Sequence, residues 1–270
     1  MRQFVLPEGV VSSLREGRGV ARLVGADFRY LCRVLRLRTG AVFEAVDREV
    51  RRYRVELRLI GADFCELSVA PAAGAEPTAP GREAPRIALF QCVPKGRRLE
   101  TIVRQATEAG VELVVPVLSE HCVATAEGET RIDRLERVAR EAMQQSGSQV
   151  VTRVHVPAPF ASIPSLWSDF RRDGRGVPIF FHQEPLAHSS LHQYLSSEPD
   201  AVAVVIGPEG GLSASETSSL SQAGFLPVYL GANILRTETA ALYAIAAVKT
   251  IAFERASWQI DRKTVANPSE

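Results

Sequence analysis

Hydrophobic and polar positions follow one rhythm in the front quarter of the chain and another in the rest. Over residues 50–60, Tyr53, Val55, Leu57 and Leu59 alternate with Arg52, Arg54, Glu56 and Arg58. A period of two sets one face of a strand on a core and the other in water. A turn at Gly61, Ala62 and Asp63 leads to a second strand at 64–69. Ahead of these, residues 27–37 have helical spacing, with Leu31, Val34 and Leu35 on one face and Arg29, Arg33 and Arg36 at i, i+4 and i+7 on another. The pattern predicts a small β-rich domain with an arginine-studded outer face.

From residue 86 the rhythm changes to short, continuous apolar runs separated by stretches with a period of 3.6. The runs at 86–93, 111–118, 151–156, 177–181, 201–206 and 225–230 predict strands buried on both faces. Leu99, Ile102, Val103, Ala106 and Ala109 give the apolar stripe of a helix closed by Gly110, and Ile132, Leu135, Val138, Ala139 and Met143 that of a long helix over 131–145. Further helices are predicted around 185–195, over 213–224 with a capping box of Ser213 and Glu216, and over 240–253 with Thr237 as N-cap. Strand and helix in alternation predict an α/β fold with a mainly parallel sheet, whose ligands bind beyond the carboxyl ends of the strands. The last helix is apolar almost all round, so it must be covered on every side, and a homodimer is predicted. Proline, alanine and glycine without periodicity mark 73–85 as a linker between a domain at 1–72 and a larger one at 86–258, with a tail at 259–270.

Composition narrows this picture. The chain has 270 residues, 46% of them apolar, and four cysteines with no C-x-x-C spacing, which predicts neither a zinc site nor a disulfide framework. His182, His188 and His192 lack a supporting carboxylate or cysteine at ligand spacing, so no metal is expected. No apolar stretch reaches membrane-spanning length, and a soluble, cytoplasmic protein is expected. Charge is uneven: residues 1–75 hold 13 arginines, no lysine and 9 carboxylates. Arginine binds phosphate with a planar fork and stacks on bases, so Arg29, Arg33, Arg36, Arg52 and Arg54 are candidate RNA contacts, the other reading being a solvated face paired with Glu44, Glu56 or Glu66. Arg131, Arg134, Arg137 and Arg140 read as a solvated helix face with Asp133–Arg137 and Glu136–Arg140 pairs.

Two glycine-bearing loops follow the last two predicted strands, Gly207-Pro208-Glu209-Gly210-Gly211 and the stretch opened by Gly231. Their spacing is not that of a dinucleotide fingerprint, and no phosphate-loop motif occurs. They offer a ligand main-chain groups, or they are simply tight strand-to-helix turns.

IGPEGGLSASE, LGANILRTETAALYA, GRRLETIVRQATEAGVELVVPVLSEH and REAMQQSG together resemble the RsmE family of 16S ribosomal RNA uridine N3-methyltransferases, in the SPOUT superfamily. RYLCRVLRLRTGAVFEAVD resembles that family's PUA-like domain. The resemblance implies a deep trefoil knot in the C-terminal domain, a small PUA-like β-barrel ahead of it, a homodimer, S-adenosyl-L-methionine as cofactor, and 16S rRNA or the small ribosomal subunit as partner. Carried over by motif, Ile206, Gly207, Pro208, Gly210 and Gly211 form one wall of the cofactor site. Leu230, Gly231, Ile234, Leu235, Arg236, Thr239 and Ala240 form the other, and Glu184 is a third contribution. Arg236 is the candidate stabiliser of the uracil anion, while Glu209 or Glu238 orients the site or takes the proton. Three positions depart from the family pattern: Gln105, His121 and Ser148 each stand where a basic residue is usual, on positions expected to face RNA. Another RNA target, such as a transfer RNA ribose 2′-oxygen, and a non-catalytic RNA-binding assembly factor are the competing functions.

Overall fold

The computed structural model describes residues 4–16, 18–47, 51–72, 84–122, 130–148, 150–229 and 231–255. Most of the 73–85 linker, the 259–270 tail and Leu230 lie outside them.

The front domain is built from β1 (Phe4–Val5), α1 (Glu8–Ser13), β2 (Gly19–Val24), α2 (Gly25–Phe28), β3 (Val42–Val46), β4 (Arg52–Ile60) and β5 (Phe64–Pro71). Its five strands run in the order β1-β3-β4-β5-β2, antiparallel except for β1 on β3, with β1 and β2 as the two ends. Tyr53, Val55 and Leu57 face a core with Phe4, Leu23, Phe28 and Leu67, as the alternation predicts. Leu59 does not. The pairing of β4 with β5 slips between Leu57 and Leu59, and this bulge turns Leu59 outward to 47% exposure. The helix predicted over 27–37 is also altered: α2 passes into a π-helix over Arg29–Val34, where the Leu35 N–H donates to the Tyr30 carbonyl at 2.9 Å. Winding by i→i+5 rather than i→i+4 breaks the predicted face, so Leu31 is buried while Val34 is 66% exposed.

The second domain comprises β6 (Arg86–Cys92), α3 (Arg98–Glu108), β7 (Leu113–Leu118), α4 (Thr130–Ser146), β8 (Arg153–Val154), β9 (Ala158–Pro159), α5 (Ile163–Arg171), β10 (Gly176–His182), α6 (Leu191–Tyr194), β11 (Ala201–Ile206), α7 (Ala214–Gln222), β12 (Leu226–Tyr229) and α8 (Thr237–Arg255). Its strands run β12-β10-β11-β6-β7-β8, with β9 also on β7, and every pair is parallel. Successive residues of β6 and β11 point into two different cores. Ile87, Leu89, Val202 and Val204 meet α3, α4 and α8 through Ile102, Leu135, Ala244 and Ile245, whereas Ala88, Phe90, Ala203 and Val205 meet Trp167, Phe170 and Leu220. Coverage on both faces is why these strands read as unbroken apolar runs.

Two predicted elements change and one is added. The strand over 151–156 contracts to Arg153–Val154. The helix over 185–195 contracts to Leu191–Tyr194, because the capping box of Ser190 and Gln193 fixes its start late. Helix α5 is absent from the sequence reading, although Ile163, Trp167 and Phe170 recur at helical spacing and Pro164 suits a first turn. Val5 and Val46 of the front domain pack with Met143 and Val151 of the second, joining the two.

The cysteines form no disulfide among the described residues. Burial, together with neighbouring Cys32, pushes the Cys65 thiol up to about 12, and burial raises that of Cys92 as well. A thiol-alkylating reagent in mildly alkaline buffer is therefore expected to label the partly exposed Cys32 and Cys122 and to spare Cys65 and Cys92 until denaturant is added. Peptide mass spectrometry that finds all four labelled at one rate in the native protein would contradict this burial.

Candidate active site

Adjacent parallel strands deliver their loops to one edge of the sheet. The loops after β12, β10, β11, β6 and β7, at 231–236, 183–190, 207–213, 93–97 and 119–122, stand side by side at the carboxyl ends, where α/β sheets bind ligands.

The 207–213 loop folds on itself. A Cβ at Gly207 would lie 3.1 Å from Gly211 C and Leu212 N, and the Gly211 N–H donates to the Pro208 carbonyl at 2.9 Å. Gly211 has φ +72°, a left-handed conformation that glycine adopts without penalty. Gly210 is pressed on His121, whose Cβ would be 3.1 Å from an added Cβ, and His121 Nδ1 is 3.0 Å from the Gly211 carbonyl. His121 thus braces the glycine loop, a role its reading as a lost RNA-facing arginine missed. The contact spans 90 residues, and nothing local in the sequence signals it. Beyond the loop, the Ser213 hydroxyl accepts from Glu216 N–H and the Glu216 carboxylate accepts from Ser213 N–H, the capping box predicted. The other Glu216 oxygen accepts from the Glu120 N–H at 2.8 Å, so one buried carboxylate ties the β7 loop to the start of α7.

The second loop reaches α8 through Gly231 at φ +111° and an Ile234 that is 84% exposed. Leu235 and Ala240 are half-buried, while Arg236 and Thr239 are exposed, and Arg236 has no ion pair among the described residues. Thr237 is the first residue of α8 and is not its N-cap. Its buried hydroxyl donates to the Gly207 carbonyl at 2.9 Å and accepts from Gln91 Nε2 at 2.9 Å. A local reading assigned this hydroxyl to its own helix because the competing partners sit on β6 and at the end of β11.

The carboxylates are held differently from one another. Glu209 accepts from the Lys95 N–H at 3.1 Å and from Arg98 Nη1. Burial pulls its pKa up, but its own and the Lys95 backbone N–H groups and the Arg98 guanidinium together leave it below the ordinary carboxylate value. Glu238 lies 3.8 Å from Arg98 Nε, and its Oε2 is buried without a hydrogen bond. Glu184 is exposed, with its backbone N–H donating to His182 Nδ1 at 3.1 Å. Ile206 is buried at the end of β11, and Pro208 is buried beside it.

Arg29, Arg33, Arg36, Arg52 and Arg54 are all exposed, with Arg54 directly across from Glu44 in the β3–β4 register. On α4, Arg134 reaches Glu100 of α3 at 2.9 Å rather than a carboxylate of its own helix. Gln105 and Ser148 are half-buried. A cleft of about 500 Å³ between the domains is lined by Tyr30, Glu100, Arg104, Glu108, Glu141 and Gln144 among others. Its carboxylates outnumber its one arginine, so it does not suit a phosphate backbone. No group of three or more His, Cys, Asp or Glu able to hold a metal occurs among the described residues.

Replacing Gly211 with alanine should cost about 1 kcal/mol through the left-handed penalty. Gly207→Ala should instead displace the loop, because its Cβ meets main chain. Urea unfolding measures the first and amide exchange over 208–212 the second; unchanged exchange in Gly207→Ala would mean the loop is not closed as described.

The chain is similar to known proteins along most of its length. The profile of a family described as RNA methyltransferase domain matches residues 82–249, and one described as RNA methyltransferase PUA domain matches residues 23–70. Ribosomal RNA small subunit methyltransferase E of Synechocystis is 29% identical over 253 residues, covering 93% of this chain and 77% of that protein. The Bacillus subtilis protein of the same name is 26% identical, covering 84% and 88%. The crystal structure of ribosomal RNA small subunit methyltransferase E from Neisseria gonorrhoeae bound to S-adenosyl methionine superposes with a TM-score of 0.77 at 26% identity, covering 92% of this chain and 97% of that one. With the domain profile matching more than half of its length, the chain belongs to the RNA methyltransferase family.

Proposed function

We propose that this RNA methyltransferase uses S-adenosyl-L-methionine to methylate N3 of one uridine in 16S ribosomal RNA. The observation that carries this reading is the Thr237 hydroxyl bonded to the Gly207 carbonyl, which joins two glycine loops into one cleft at the carboxyl edge of the sheet. The small-subunit methyltransferase E relatives supply the RNA class, and the gonococcal structure, titled as bound to S-adenosyl methionine, supplies the cofactor.

The residues suit that cofactor. S-adenosylmethionine has no phosphate, and a loop without side chains at Gly207, Gly210 and Gly211 offers an adenine ring main-chain donors and acceptors at close range. Pro208 and Ile206 form that wall with them, and Gly231, Ile234, Leu235, Thr239 and Ala240 the opposite one, with Leu230 and Glu184 as flanking contributions. When bound, the cofactor supplies an electrophilic methyl group on a sulfonium. Arg236, exposed and without an ion pair among the described residues, holds the uracil oxygens as N3 loses its proton. Glu209, already saturated by Arg98 and Lys95, is a poor proton acceptor and orients the loop instead. Glu238, whose Oε2 faces Arg98 at 3.8 Å, is the remaining carboxylate that takes the proton or orients the site.

The wider arrangement follows the same reading. The division into an RNA-binding domain at 1–72, a linker at 73–85, a methyltransferase domain at 86–258 and a tail is retained, with Arg29, Arg33, Arg36, Arg52 and Arg54 contacting RNA. From edge strand β12 the chain returns to the middle of the sheet, where Thr237 bonds Gly207 and Gln91, and such a path suits a knotted, threaded terminus; the five-stranded sheet of the front domain suits a PUA-like barrel. Leu242 and Tyr243 leave an apolar face of α8 exposed, which suits a homodimer. No helix among the described residues is long and apolar enough to cross a membrane, in keeping with a cytoplasmic enzyme.

Incubating the protein with unmodified small subunits, or with naked 16S RNA, should produce 3-methyluridine at one position by nucleoside mass spectrometry. A 2′-O-methylated nucleoside instead would move the acceptor to ribose, and no methylation with no calorimetric heat from S-adenosylmethionine would leave an RNA-binding factor. Arg236→Ala should lower turnover by roughly 100-fold or more, the usual loss for one anion-stabilising donor, while circular dichroism shows the fold retained. Unchanged turnover would remove Arg236 from the chemistry.

A further inference from the structure

Arg98 belongs to neither wall of the cleft, yet it reaches both. It opens α3, directly after the loop from β6. Its Nη1 donates to Glu209 in the first glycine loop, and its Nε lies 3.8 Å from Glu238 Oε2 at the start of α8. The Lys95 N–H, from the same loop, donates to Glu209 Oε1 and Oε2 at 3.1 and 3.3 Å. Glu238 Oε2 is buried and accepts no hydrogen bond, so Arg98 is the cation that offsets its charge.

Stability is a weak explanation for this arrangement. Arg98 is 42% exposed on its side chain, and exposed ion pairs contribute little to folding. Geometry is a better one. A guanidinium is planar and its donors form a rigid fork, so the group that hydrogen-bonds Glu209 also sets where its charge lies beside Glu238, at 3.8 Å. One carboxylate stands in each wall, Glu209 in the first glycine loop and Glu238 in the first turn of α8. Deeper down, the Thr237 hydroxyl ties the same walls, accepting from the Gln91 side chain and donating to the Gly207 carbonyl. Two ties at different depths restrain tilt as well as distance.

We propose that Arg98 is a positioning residue that sets the spacing and tilt of the two walls through Glu209 and Glu238, holding the cleft ready before any ligand enters. The relevance of that geometry to S-adenosylmethionine rests on the cofactor reading above; the geometry itself does not.

The test compares wild type, Arg98→Gln, Arg98→Lys and Glu238→Gln by amide exchange without ligand, then by calorimetry and kinetics. Arg98→Gln should speed exchange in both 207–213 and 231–236 while β6 and β11 keep their protection. It should weaken S-adenosylmethionine binding about tenfold by loss of preorganisation, raising its KM more than it lowers kcat. Arg98→Lys, a point charge without the fork, should restore one stretch and not the other. Glu238→Gln should loosen 231–236 alone and add nothing further in the Arg98→Gln background. Exchange unchanged in Arg98→Gln, or faster in only one stretch, overturns the proposal. If Arg98→Gln does not fold, Arg98→Lys and Glu238→Gln decide in its place, and tight exchange at 231–236 in both overturns it. Wild type that gives no heat with S-adenosylmethionine, while both stretches loosen in Arg98→Gln, leaves the clamp standing and removes the cofactor reading.

Discussion

The hydroxyl of Thr237 occupies the junction of three segments that the sequence keeps far apart. It donates to the end of β11 at Gly207, accepts from the middle of the sheet at Gln91, and belongs to the first turn of α8. A buried hydroxyl left without partners is costly, so its two bonds make α8 and the glycine loop one unit. Burial of β6 and β11 on both faces supplies the rigid floor under that junction. The loops above then need little structure of their own, and glycine can be placed wherever main chain must come close.

Electrostatics over the cleft is local. The net charge of +1 says nothing about it, because the organising charges are one guanidinium and two carboxylates drawn from three elements. Glu209 stays ionised more readily than an ordinary glutamate because donors surround it, despite the opposing effect of burial. The Glu216 carboxylate instead accepts from the Ser213 and Glu120 N–H groups.

Much of this was legible in the sequence where the deciding interactions are short in range. The capping box of Ser213 and Glu216 and the apolar run of β11 lie within a few residues of their causes, and both elements form as expected. What the sequence concealed was decided by partners far away or by departures from regular winding. The π-helix over Arg29–Val34 turned Val34 outward, and the slip at Leu57 did the same to Leu59. Thr237 looked like an N-cap because its true partners are on other strands. His121 looked like a missing arginine because the carbonyl it meets is brought to it only by the sheet. Within the site, the glycine loops could be named from the sequence, whereas Arg98, which reaches both, could not be distinguished from the neighbouring Arg97.

Helix α8 has one end in the cleft and, one to two turns on, the exposed side chains of Leu242 and Tyr243. At 1.5 Å of rise per residue, Thr237 and Tyr243 are separated by only about 9 Å along a single rod. A surface that covers Leu242 and Tyr243 therefore acts on the same rigid body that carries Arg236 and Glu238. In the homodimer proposed above, any difference in cleft affinity between monomer and dimer is matched by an equal shift in dimerisation, so the cleft would be read through protein concentration.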